Sequence, residues 1–386
     1  MCKDFRELGE NSRAVHLPSP PLGHDEGGHG AALAAALAAL EGYRLTAPVE
    51  AAVFASGAAA VTAVLLASAG AGAHVIVPAA APDVLRALLV RLGLETSFVP
   101  MDDPNAVRAA LRPSTGLVWA EALADPTLAV ADLPLLAEIA HDAGALLVAD
   151  STFTTPVVCR PLEHGADLVV HASAALLGGQ GEVEGGAVAG HARPMEGVRR
   201  VRAETGAVLA PDAASRLRRG LETLPLRVRR QCDTAGVFAA SIVRHPAVQS
   251  VRYPGLSGHP GHGLARVLFD AGPEGTRFGA VVTVVPYGGT AAGEALAAAL
   301  RLAVPSASFG GTRTTAAPTT STTHRLLNGA GSFVAGVDPG TVRFSIGLED
   351  ADDLVRDAGE ALDTLAGASA RVPSLSPPAP LVADPG

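Results

Sequence analysis

Between residues 49 and 173 short apolar runs alternate with helical stretches, and that alternation limits the fold more than any other feature of the chain. AAVFASG (51–57), HVIVP (74–78), ETSFVP (95–100), GLVWAE (116–121), ALLVAD (145–150) and DLVVHAS (167–173) read as strands or strand-to-turn segments. AAAVTAVLLAS (58–68), PDVLRALLVRLG (82–93) and ADLPLLAEIAHDAG (131–144) read as the helices between them. Strands of this kind, separated by helices, predict a parallel or mixed sheet covered on both faces, an α/β fold. A helix over 30–41, ended by Gly42, precedes them.

After residue 210 the pattern changes. Two long helices are predicted over 213–224 and 227–245, and shorter ones over 293–303 and 350–367. Strands are predicted over 248–255, 276–286 and 341–347, which suggests a smaller α+β unit. The expected organisation is an arm and helix at 1–48, a large domain at 49–245, a small domain at 246–367 and a disordered tail at 368–386.

With 48% hydrophobic and 17% charged residues, the 386-residue chain can build a large core and is no disordered polymer. A net charge of -9 argues against an extended nucleic-acid surface. The apolar runs are too short for a membrane span, and MCKDFRELGE contains no signal segment. Cys2, Cys159 and Cys232 have no ligand-like spacing and are odd in number, which fits a reduced, cytoplasmic protein. The histidines of GHDEGGHG (23–30) and HPGH (259–262) read as a solvated arm and a surface turn, so no metal site is expected.

Three features hint at a site. FASGA (54–58) runs strand, glycine turn, helix, so Ser56, Gly57 and Ala58 can present a hydroxyl and N–H groups to an anion; a purely structural turn does the same. Asp150 ends a buried strand, where α/β sheets gather active-site groups, and helix capping competes with that role. Arg343 alternates with apolar neighbours in TVRFSIG, reaching either a cleft or an exposed sheet face.

Taken in order, ALAALEG, FASGAAAVTAVLLA, GLVWAEALADP, HDAGALLVADSTFTTPVVCRPLEHGADLVVH, GGQGEVEGG, RRGLETLPLRVRRQC, HPAVQSVRYPGLSGHPGH and VRFSIGLEDADDLV resemble the Cys/Met-metabolism family of pyridoxal-phosphate (PLP) enzymes. This is the group of cystathionine gamma-synthase, cystathionine gamma-lyase and methionine gamma-lyase. The resemblance implies fold type I, with a seven-stranded mixed sheet domain, a smaller carboxy-terminal domain, and homodimers that pair into homotetramers.

It also implies site roles. Asp150 matches the partner of the cofactor's ring nitrogen, Ser56–Ala58 the phosphate turn, Arg343 the clamp on the substrate carboxylate, and Ser308 a neighbour of that carboxylate. The family holds PLP through a lysine amine, in His-Ser-Ala-Thr-Lys-Tyr followed by two glycines. Here Ala175 has that position, and the sequence has one lysine, Lys3. Ala172 and Ala174 replace hydroxyl side chains, Pro82 replaces the tyrosine that stacks on the ring, and Asp125 replaces an asparagine beside it. Arg313 stands where glutamate is common, while Gln180 and Glu182 replace a histidine and an aspartate.

These departures predict that no cofactor is used, with PLP binding only non-covalently. The leading expectation is a repurposed, PLP-independent cavity that binds or converts an acidic small metabolite. Asp150, His171, Asp125 and Glu121 are the candidate catalytic groups, and Arg343, Ser308, Arg313 and Gln180 the candidate substrate contacts. Three alternatives stay open: a non-catalytic pseudoenzyme or partner subunit in a biosynthetic pathway, a PLP or PMP enzyme without the lysine link, and a lysine-to-alanine variant of a C–S lyase or synthase at Ala175.

Overall fold

The computed structural model describes residues 28–70, 72–172, 175–272, 275–326 and 335–369. The amino-terminal arm to residue 27 and the tail from 370 lie outside them, as do most of the GHDEGGHG stretch and Ala174.

The first sheet contains β1 (Val49–Phe54), β2 (His74–Pro78), β3 (Glu95–Val99), β4 (Thr115–Glu121), β5 (Leu146–Asp150), β6 (Leu168–His171) and β7 (Gly186–His191). Their order is β1-β7-β6-β5-β4-β2-β3. Neighbours from β3 to β6 run parallel, whereas β7 pairs antiparallel with both β6 and β1, so the sheet is mixed. Strand β7 has no sequence signature, because GAVAGH lacks the branched and aromatic residues that mark strands. Its glycine has a steric role instead. A Cβ on Gly186 would lie 2.8 Å from the Gly57 Cα and from the Ser56 carbonyl, so glycine lets the 56–57 turn rest on β7.

Side chains alternate across this sheet. Val75, Leu117, Trp119, Val148 and Val170 pack with helices Gly57–Ser68, Asp83–Arg91 and Ala192–Thr205. Ile76, Val118, Ala120, Leu147 and Ala149 pack on the other face with Gly28–Glu41, Leu133–Asp142 and Pro211–Ile242. The last of these corrects the expectation of two helices, being one 32-residue helix with Pro225 inside it. Proline removes a single backbone donor there, while buried Leu221, Leu224 and Val228 anchor the turns on either side.

The remaining strands are β8 (Val248–Arg252), β9 (Ala271–Gly272), β10 (Gly275–Thr276), β11 (Val281–Pro286), β12 (Val304–Pro305), β13 (Thr315–Pro318) and β14 (Val342–Ser345). Strands β9 and β10 pair with each other, and the rest form a five-stranded sheet in the order β12-β13-β14-β11-β8. One face buries Val282, Val284, Val342 and Phe344 against Phe238, Leu296 and Leu354. By alternation Thr283, Arg343 and Ser345 occupy the other face, which is how a polar row is carried on buried strands. Among the described residues, no helix is long and apolar enough to cross a membrane.

Candidate functional site

Strands β4, β5 and β6 are adjacent and parallel, so Glu121, Asp150 and His171 fall together at their carboxyl ends. Sheet alternation then divides them. Glu121 shares the face of Leu117 and Trp119, and Asp150 that of Val148. The two acids are also direct cross-strand partners in register. His171 lies on the opposite face, where its Nε2 is 2.6 Å from Glu41 Oε1 on the Gly28–Glu41 helix. Both side chains of that pair are buried, and the His171 Nδ1 has no hydrogen-bond partner among the described residues. This corrects the expected placement of His171 in the same lining as the acids: a one-residue difference in strand parity turns it towards the helix.

The two neighbouring carboxyls differ in their surroundings. Asp150 Oδ1 accepts from the Thr152 N–H at 2.9 Å and from the Thr152 hydroxyl, and that hydroxyl in turn accepts from Ala172 N at 2.8 Å. Burial raises the Asp150 pKa, and the Thr152 bonds and nearby His171 act against the rise. Glu121 Oε2 accepts a hydrogen bond from Asp125 N at 2.9 Å. Burial, followed by the charges of Asp150 and Asp125, holds its carboxyl well above the usual carboxylate range. Glu121 opens into a cavity of about 220 Å³ lined also by Ala80, Met101, Asp102, Thr127 and Arg252.

Arg343 crosses from β14 to this region. Its Nη1 is 2.5 Å from Asp125 Oδ2 and its Nη2 donates to Ala307 O at 2.6 Å. The guanidinium carbon lies 5.6 Å from the Phe153 ring centroid and 5.3 Å from that of Phe309, and the two rings meet edge to face. The free anion clamp expected at Arg343 is therefore corrected: Asp125 already holds the guanidinium. Nearby His324 is fully buried, with Nδ1 2.8 Å from Thr323 Oγ1. Burial depresses its pKa, Arg343 adds to the effect and Asp125 opposes it.

The other expected contacts are dispersed. Ser308 is exposed, and it follows the Ala307 whose carbonyl caps Arg343. Arg313 is exposed in the loop before β13. Gln180 and Ala175 line a different cavity, of about 330 Å³, with Glu182, Arg219 and Thr223. Behind it, Arg227 donates to the carbonyls of Leu176, Leu177 and Gly220, and burial lowers its pKa to about 10. The expectation of one lining containing both Arg343 and Gln180 is thus corrected: Gln180 lines a cavity whose walls do not include Arg343.

At the glycine turn, Ser56 caps the Gly57–Ser68 helix by accepting from Ala59 N at 3.1 Å. A Cβ on Gly57 would stand 1.5 Å from the Ala172 carbonyl oxygen, so the turn is pressed onto the strand end that follows β6. Ala58 is exposed, and Pro82 precedes the Asp83–Arg91 helix. Sequence reasoning missed Thr152, Phe153, Phe309 and His324. Only Thr152 left a signal: an Asp two residues before a Thr commonly forms an Asx turn.

Three comparisons bear on these residues. The family model described as Cys/Met metabolism PLP-dependent enzyme matches residues 30–363. A cystathionine gamma-lyase of Bacillus subtilis is 36% identical over 317 residues, covering 81% of this chain and 82% of its own length. Cystathionine gamma-synthase of Xanthomonas oryzae, solved with aminoacrylate and cysteine, superposes with a TM-score of 0.81 at 31% identity, covering 88% of this chain and 86% of that one. A Campylobacter jejuni structure carrying N′-pyridoxyl-lysine-5′-monophosphate superposes at 0.80 and 25% identity, over 87% and 86% of the two chains. These findings correct the expectation that no cofactor is used: the family is PLP-dependent and a matched structure carries the pyridoxyl group.

The local residues fit that group in part. Asp150 has its Oδ1 satisfied by Thr152, and its Oδ2 takes no hydrogen bond from the described residues; the Ser56–Ala58 turn opens a helix nearby. Position 175 is alanine and supplies no amine.

Proposed function

The chain belongs to the Cys/Met metabolism family of PLP-dependent enzymes, and from that premise we propose that it converts a small metabolite by acid–base chemistry at the carboxyl ends of β4 and β5. The observation that carries this reading is the Glu121–Asp150 register pair, two adjacent carboxyls with unequal hydrogen bonding. Environments that push two carboxyls apart are how one site keeps an acid and a base together. Glu121, raised by burial and by two neighbouring acids, holds a proton and donates it. Asp150, bonded twice by Thr152, is the more acidic partner and accepts. Thr152 also fixes the Asp150 carboxyl through Ala172 N, which limits its rotation.

Bound PLP would supply electron withdrawal from a substrate carbon, with the Ser56–Ala58 turn holding its phosphate and Asp150, as the accepting carboxylate, holding the proton of its ring nitrogen. No lysine amine is present among the described residues to tie it to the chain. Proton donation to the substrate is assigned to Glu121, and the accepting role to Asp150 at the ring nitrogen. The buried Phe153 ring and half-buried Phe309 exclude water from the Arg343 end of the cleft. We further propose that the two structural units divide near residue 245, and that the chain works as a homo-oligomer like its relatives.

The test is depletion of metabolites from a cell extract by the full chain supplied with PLP, followed by mass spectrometry. Wild type is expected to consume at least one small metabolite. Asp150→Asn and Glu121→Gln are expected to slow that consumption about 100-fold, within the usual range for removing an acid–base group. Equal consumption by the variants, or none by a folded wild-type chain, contradicts the reading.

A further inference from the structure

Asp125 and Arg343 are 218 residues apart in sequence yet form a buried pair, with side chains 16% and 2% exposed. The arginine has little freedom to leave, since Nη2 is bonded to the Ala307 carbonyl and the rings of Phe153 and Phe309 flank the guanidinium. Asp125 is fixed from its own side because its N–H donates to Glu121 Oε2. Its second carboxyl oxygen, Oδ1, is buried with no hydrogen-bond partner among the described residues. The cation that a ligand carboxylate would seek is therefore already neutralised by the chain itself.

The rest of the lining points the same way. Glu121 and Asp150 are neighbours across β4 and β5, Asp125 N donates to Glu121, and the cavity that Glu121 lines also has Asp102 and Arg252 in its wall. A carboxylate approaching Arg343 would meet Asp125 already on the guanidinium and Asp150 nearby. A ligand ammonium would instead find acceptors in Asp125 Oδ1, which has no hydrogen-bond partner among the described residues, and in the ionised Asp150.

We propose that Asp125 is a resident occupant of Arg343 that bars carboxylate-bearing ligands and makes the cleft select a small amine without a carboxylate. This rests on the reading of the cleft as the ligand site, and it makes Asp125 the residue that sets specificity. No covalent step is involved.

The experiment uses two probes of equal length and opposite charge, butane-1,4-diamine and succinate, titrated into the full chain by calorimetry. Wild type is expected to bind the diamine at least tenfold more tightly than succinate. Asp125→Asn, with Asp125→Ser as a second variant should the first fold poorly, is expected to gain at least tenfold in succinate affinity and to lose affinity for the diamine. Adding Arg343→Gln to Asp125→Asn is expected to remove the gain, which locates the succinate on the freed guanidinium. Succinate binding that is equal in wild type and the Asp125 variants, with Asp150→Asn still weakening the diamine, overturns this inference alone. Absence of binding by either probe to any folded form overturns both the inference and the ligand-site reading beneath it.

Discussion

A carboxyl and an imidazole one strand apart, Asp150 and His171, have opposite fates because residue parity decides which face each one meets. His171 is committed to Glu41, and removing one member of so buried a pair leaves the other unpaired. His171→Ala is expected to cost about 3–5 kcal/mol in urea unfolding while leaving metabolite consumption by the remaining folded protein near wild type. A large catalytic loss at unchanged stability would return the histidine to the cleft. Glu121 behaves differently. Its folded pKa lies above the unfolded value of about 4.3, so folding takes up a proton between the two. Its contribution to stability is complete below the unfolded value, is lost as pH rises through the folded one, and is level beyond that. Glu121→Gln is therefore expected to flatten this part of the pH–stability curve and to raise the melting temperature at neutral pH. A curve that overlays wild type would show that the carboxyl is not strained. Strand position singled out Asp150 and Arg343 as candidates, and positional resemblance to the family added Glu121. They did not reveal that Asp125 holds Arg343, since a pairing across 218 residues leaves no local pattern.

At the level of elements, the alternating strands and helices of the first sheet were legible because each carries its own hydrophobic period. Strand β7 was not, because it is glycine- and alanine-rich and is defined by what it lets approach. The break foreseen at Pro225 failed for a related reason: burial on both sides of the proline outweighs one missing donor. The glycine turn gives a sharp test. Gly57→Ala would drive a Cβ to 1.5 Å from the Ala172 carbonyl oxygen, where backbone rather than a flexible side chain must move. It is expected to destabilise the fold by about 3 kcal/mol or more in denaturant titration. An unchanged midpoint would mean that the turn is not pressed onto the end of β6. Ala58→Gly, one residue along and exposed, is the control and is expected to cost at most about 1 kcal/mol.

The whole molecule combines two sheets, with Arg343 of β14 paired to Asp125 in the segment after β4, and family resemblance anticipated that architecture better than it anticipated the chemistry of the lining. Native mass spectrometry of the intact chain is expected to show a homodimer or homotetramer, and a monomer at micromolar concentration would contradict the proposed assembly. The central claim is that Glu121 keeps its proton beside an ionised Asp150. Infrared difference spectroscopy of wild type against Glu121→Gln, at about pH 6.5, reads that proton directly, because a protonated carboxyl and a carboxylate absorb in separate regions whereas Glu121 ionises well below this pH in its unperturbed form. The account predicts a protonated-carboxyl band in wild type that is absent from the variant. A carboxylate band lost in its place would show Glu121 ionised, and the acid–base pair proposed for this cleft would have to be abandoned.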